Sequence, residues 1–178
     1  PTPEPLSATE LLAGDWRLLY TTSQELLGID RFPLAKLGNI YQCIRPQESK
    51  IYNIAEVKSL PLCEGIISVI ASFKPAASER VTLIDAAHGK PEEGTVAVAT
   101  ASTRKVNVKF NRAVFGLQRI LGYQSPGQYI DKLTKADKLN KLQAIDFTIY
   151  PSREPGWLEI NYLDKDLRIG RGNQGSLF

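Results

Sequence analysis

The closing stretch Asn161-Tyr-Leu-Asp-Lys-Asp-Leu-Arg-Ile-Gly-Arg-Gly-Asn-Gln-Gly-Ser-Leu-Phe178 reads as a strand end, a charged turn, a short strand Leu167–Arg171, a glycine-rich turn and a final apolar start. Such a segment cannot bury its apolar residues alone, so it must add to strands already formed. The natural partner is the first strong strand, Gly14-Asp-Trp-Arg-Leu-Leu-Tyr-Thr-Thr22, in which Trp16, Leu18 and Tyr20 alternate as in a half-buried strand. Pairing the first strand with the last would close a sheet into a barrel, and closure removes exposed edges altogether.

Between these ends the chain supplies more strands, each bounded by turn residues. They are Asn39–Arg45, Ile51–Val57, Ile66–Phe73, Arg80–Asp85, Thr95–Ala101 and Arg104–Phe110, and then Ala144–Tyr150, Trp157–Leu163 and Leu167–Arg171. Ser7-Ala-Thr-Glu10 has capping-box spacing and predicts a short helix over Ala8–Ala13 that Gly14 ends. Ser23–Lys36 reads as a short helix and loop across one barrel end. Arg112–Tyr123 places Ala113, Leu117, Ile120 and Leu121 near helical spacing, and Ser125-Pro-Gly127 breaks it. Residues 128–142 read as an ordered loop with at most a helical turn, so 112–142 is a candidate lid or insertion. The expectation is one domain over 1–178: all-β with minor helices, an antiparallel barrel of about eight to ten strands, which at roughly eight can hold one small ligand.

Composition narrows the function. The 178 residues are 43% hydrophobic, enough for a packed core. Lysine and arginine number 22 against 19 acidic residues, without the basic block of a nucleic-acid binder, although weak attraction to an anionic membrane surface is permitted. No apolar run reaches the roughly 18 residues of a membrane span. No signal or transit peptide is visible, and because the chain starts at Pro1 and contains no methionine, a natural N-terminus is expected to be missing. Cys43 and Cys63 form no C-x-x-C pair; Cys43 is expected as a buried free thiol in a reducing compartment.

The catalytic search returns little. His88, the single histidine, lies in the loop His88–Gly94, which excludes a multi-imidazole zinc site, and no G-x-S-x-G elbow presents a serine. Gly170-Arg-Gly172-Asn-Gln-Gly175 fits G-x-G-x-x-G, but only Ser-Leu-Phe follows, so no helix can receive a pyrophosphate and a hairpin turn is the better reading. Asp164 and Asp166 in a turn are expected to cap backbone amides or meet Arg168 and Arg171. Either arginine could cover the Trp16 indole as a cation–π partner worth about 0.5–2 kcal/mol; equally, Trp16 could be an ordinary buried indole. No catalytic, cofactor or metal residue is expected.

Taken together, Gly14–Thr22 and Tyr162–Phe178 resemble the plastid lipid-associated protein family, the fibrillins. The opening is similar to its G-x-W-x-L-x-Y-T-[ST] signature and the close to its Y-L-D-x-D-L-R-I-x-R-G-x-x-G pattern; Gln42 and Ile54 through Val57 fall where the family has a strand pair. The resemblance implies a lipocalin-like barrel at thylakoid or plastoglobule surfaces in a plastid or cyanobacterium. It further implies a coat or binder for a prenyl lipid, quinone or carotenoid. Gly14 and Trp16 would match the lipocalin G-x-W, and Asp164, Asp166, Arg168, Gly170, Arg171, Gly172 and Gly175 an architectural closing motif. Independently, strand alternation nominates Trp16, Leu18, Tyr20, Ile54, Val69, Phe73, Val108, Phe110, Phe147 and Ile149 as inward, cavity-lining side chains. The rival is a scaffolding protein whose barrel its own side chains fill; an enzyme acting on a lipophile is a weaker third.

Overall fold

A computed structural model describes residues 2–23, 35–59, 63–77, 101–136, 139–150, 156–173 and 175–178. It consists of α1 (Thr9–Leu12), β1 (Gly14–Arg17), β2 (Ala35–Arg45), β3 (Lys50–Ser59), β4 (Cys63–Ala77), β5 (Ala101–Leu117), α2 (Gln118–Leu121), α3 (Pro126–Thr134), β6 (Ala144–Thr148), β7 (Gly156–Leu163) and β8 (Arg168–Gly172). The strands form one eight-stranded sheet in the order β1-β2-β3-β4-β5-β7-β8, and β6 also pairs with β5. Every pairing is antiparallel. The 17-residue β5 makes this branching possible, since Lys105–Val108 pair with β7 and Arg112–Gly116 with β6. The expected strands at Arg80–Asp85 and Thr95–Ala101, the loop with His88 and most of Ser23–Lys36 lie outside the described residues, apart from Ala101 in β5.

The sheet curls into a lipocalin-like half-barrel whose two edge strands meet through the last residues of the chain and not by direct pairing of β1 with β8. Among the described residues β1 pairs only with β2, and β8 with β7. The C-terminal tail joins the two edges instead. Phe178 exchanges two backbone hydrogen bonds with Gly170, while the Thr22 N–H donates to the Leu177 carbonyl at 3.2 Å. The Leu177 N–H donates in return to Thr22 Oγ1 at 2.9 Å, and Thr21 Oγ1 donates to the Leu177 carbonyl.

Both faces of the sheet carry a core. On the concave face Ile44, Ile51, Ala71, Val106, Leu158, Ile160 and Leu163 meet Leu12 of α1, with Trp16, Phe73 and Phe178 packed alongside. Leu6 N–H donates to the Thr103 carbonyl and Thr2 N–H to that of Leu163, so the N-terminal segment crosses this end as a plug. On the convex face Cys43, Tyr52, Ile54, Ile66, Ile70 and Val114 pack against Leu121, Tyr129, Ile130, Leu133 and Leu139. Cys43 is fully buried and unpaired as a thiol, and burial raises its pKa.

The 112–142 region differs from expectation. Arg112–Leu117 continues β5, and only Gln118–Leu121 is helical. Asn111 is an extra residue, because Ile70 faces Arg112 and Ala71 faces Phe110. That bulge shifts the alternation by one, which makes a strand imitate a helical period. Ser125-Pro126, read as a breaker, instead starts α3: Ser125 Oγ accepts the Gln128 N–H and Pro126 occupies the first turn. Tyr129, Ile130 and Leu133 form the buried stripe of α3, and Lys132 lies off that stripe with its Nζ donating to the Leu121 carbonyl at 2.8 Å. In α1 the expected Ser7 cap is absent, and Ser7 Oγ donates to Glu4 instead.

Candidate ligand-binding face

Strand register divides the concave face into rows. The deepest contains Ile44, Ile51, Ala71 and Phe110; the next Trp16, Gln42, Asn53, Val69, Ala113 and Phe147; the third Ile40, Ala55, Ile67, Phe115 and Ile145. Between the lowest row and the N-terminal plug the interior is filled. The space lined by Leu6, Leu12, Ile44, Ile51, Phe73, Val106, Leu158, Ile160 and Arg168 amounts to about 10 Å³, at the threshold for a single water.

Toward β5 and β6 the same face opens. Phe110, Phe115, Leu117, Ile145 and Phe147 retain 45, 37, 43, 69 and 44% of their exposure. Phe115 and Phe147 stack with ring centroids 5.9 Å apart and planes within 5°. The outer edge of β6 has no ladder partner among the described residues. Large apolar side chains on a concave wall, beside a filled base, leave room for an apolar molecule to lie against them.

One polar chain crosses the second row. Gln42 Nε2 donates to Asn53 Oδ1 at 2.9 Å, and Asn53 Nδ2 donates to the Val69 carbonyl at 3.4 Å. Gln42 Oε1 is buried and has no hydrogen-bond partner among the described residues.

The residues nominated from sequence separate into three groups. Trp16, Phe73 and Val108 belong to the filled base. Val69, Phe110 and Phe147 lie on the open concave wall. Leu18 and Ile149 continue the parity of Trp16 and Phe147 just past the strand ends, and only Ile54 and Tyr20 depart from the expected inward set. Ile54 is fully buried but on the convex face, because the concave residues of β3 are Ile51, Asn53, Ala55 and Val57. Tyr20 lies past the end of β1 and is exposed; Leu18 and Ile149 are half-buried at strand ends, with the Leu18 N–H donating to Ile40 and that of Ile149 to Asn111. Sequence reasoning missed Gln42, Asn53, Phe115 and Leu117 as wall residues. The last two become visible once parity is shifted past Asn111.

The closing motif is architectural in geometry. Arg168, not Arg171, covers Trp16, with the guanidinium carbon 5.6 Å from the ring centroid. Burial pushes the Arg168 pKa down to about 10. Trp16 Nε1 donates to the Leu12 carbonyl, which ties the indole to α1. Asp164 Oδ1 accepts the N–H groups of Asp166 and Leu167, and Oδ2 accepts the Tyr162 hydroxyl; these bonds hold its carboxyl below the usual range. Asp166 meets Lys165, not an arginine. Gly170 and Gly172 lie in β8, and Gly175 takes φ +76° in the turn that returns the tail to Gly170. Gly14 opens β1 opposite Ile44, and Arg171 pairs across from Glu159.

An antiparallel half-barrel with a G-x-W first strand, an arginine over its tryptophan and an apolar concave wall is a lipocalin-like all-β protein. The PAP_fibrillin family model matches residues 1–90 and 92–178, and the chain belongs to that family. It is 33% identical over 98% of its length to plastoglobulin-1, chloroplastic, of Pisum sativum, covering 48% of that protein. It is 33% identical over its full length to a chromoplast-specific carotenoid-associated protein of Cucumis sativus, covering 54% of it. A plastid-lipid-associated protein of Citrus unshiu is 31% identical over the full chain, with 54% of that protein covered. The chain thus spans about half the length of these relatives. No solved structure matches.

Proposed function

We propose that this chain is a non-catalytic binding or coat protein for a hydrophobic small molecule of the prenyl lipid, quinone or carotenoid class. It would act at a thylakoid or plastoglobule surface in a plastid or cyanobacterial cell, with no nucleic-acid partner. The observation that carries the reading is the open concave wall of Phe110, Phe115, Leu117, Ile145 and Phe147. Apolar area covered there contributes about 25 cal/mol per Å² before ordering costs, so a chain of several isoprene units is ample. The names of the relatives, lipid-associated and carotenoid-associated, support the same ligand class. Leu117, Ile120, Leu142 and Ile145 are exposed at one end of the β5–β6 pair, beside Arg119 and Lys141, a composition suited to resting on an anionic lipid surface.

Two measurements test this. Added β-carotene quenches Trp16 in a Trp157→Phe background, and Phe147→Asp reduces the quenching at least several-fold; Trp157 is removed because Lys105 covers it on the other face. Flotation with anionic liposomes weakens in the Leu117→Glu/Ile120→Glu double variant, and unchanged flotation would remove surface docking. The filled base favours a second reading, a scaffold holding no lipid. Solvent extraction that repeatedly recovers no lipophile, together with absent quenching, would establish it.

A further inference from the structure

We propose that Gln42 selects, among apolar occupants of the concave wall, those carrying a hydroxyl or other hydrogen-bond donor; this rests on the binding reading above. The amide has one consistent orientation. Its Nε2 donates to Asn53 Oδ1, and Asn53 is itself held with Nδ2 toward the Val69 carbonyl. A relay running in this direction leaves Gln42 Oε1 as its free acceptor end, and that atom is buried without a partner. Buried acceptors are satisfied in the great majority of folded proteins, so an orphan on this face of the sheet points to a donor brought by the occupant.

The position fits a head-group contact. Gln42 stands beside Trp16, immediately above the filled base, in the same row as Val69, Ala113 and Phe147. An occupant whose apolar body lies along Phe147 and Phe115 would bring its end to the floor of the open region. There a hydroxyl is favoured and an ether or carbonyl oxygen faces another acceptor. An alcohol or hydroquinone is therefore preferred over the matching ether, hydrocarbon or quinone.

Geranylgeraniol and its methyl ether differ by the loss of that one donor. Displacement of a polarity-sensitive naphthalene dye by each, on the full chain, reads the preference directly. The wild-type protein is expected to bind the alcohol about five- to ten-fold more tightly, the scale of one hydrogen bond. Gln42→Leu, checked for an unchanged melting curve, brings the two affinities together and so abolishes that preference. Equal affinities in the wild-type protein, as when an ordered water satisfies Oε1, overturn the proposal without any variant. A preference that survives Gln42→Leu overturns it too. If the dye binds but neither lipid displaces it, the binding reading itself fails, and the two failures remain distinguishable.

Discussion

Asp146 joins more of the convex face than any other carboxylate described. It forms a two-pronged pair with Arg112, at 2.9 Å to Nε and 2.6 Å to Nη2, and accepts the Leu139 N–H at 2.7 Å. Arg112 in turn donates to the Leu133 and Ala136 carbonyls at the end of α3, so one ion pair fastens that helix to β5 and β6. The Asp146 side chain is only 2% exposed. Asp146→Ala strands a largely buried guanidinium and is expected to lower unfolding free energy in urea by about 3–5 kcal/mol. Asp164 behaves differently because it is half-buried and satisfied by local N–H groups and a hydroxyl. Its folded pKa lies below its unfolded one, so its stabilisation is complete above the ordinary carboxylate value and is lost as pH falls through the folded value. Asp164→Ala should therefore melt below the wild type near neutral pH, and the gap should narrow as pH falls below about 4, the ordinary carboxylate value. The Asp164 turn was legible because it is local, whereas the cover on Trp16 was legible only as far as a choice between Arg168, Arg171 and an ordinary buried indole. The Arg112–Asp146 pair was not, since its partners are far apart in sequence and Arg112 looked helical.

At the level of elements, β5 determines what the sheet can display. Its bulge at Asn111 moves Phe115 and Leu117 to the face that Phe110 occupies, and β6 places Ile145 and Phe147 beside them. Gly116, next in the strand, permits the tight turn of α2 back over β5. A Cβ there would lie 2.7 Å from Leu121 Cδ1 and 3.1 Å from the Gln143 carbonyl oxygen. Gly116→Ala is expected to cost about 1–3 kcal/mol by overpacking, measured as a lower urea midpoint at unchanged m-value. Period-two alternation identified most strands to within a few residues. It failed at the bulge, where one inserted residue changes parity, and at α3, where Ser125-Pro-Gly127 read as a breaker although it opens the helix that carries the Tyr129, Ile130 and Leu133 stripe.

For the whole molecule, the antiparallel all-β, lipocalin-like class could be read from turn-bounded strands and the two end motifs, but the manner of closure could not. The two edges meet through two tail residues, Leu177 and Phe178, that look like a simple chain end. The result is a half-barrel with two unlike parts, a base filled by Leu12, Ile44, Ile51, Leu158 and Ile160 and an upper wall of exposed aromatic and aliphatic side chains. That division is the central claim, and NMR of the isotope-labelled protein with a spin-labelled fatty acid tests it most directly. Resonances of Phe110, Phe115, Leu117, Ile145 and Phe147 are expected to broaden first, while those of Ile44, Ile51, Leu158 and Ile160 persist. Broadening centred on the base, or spread evenly over both faces of the sheet, would contradict it.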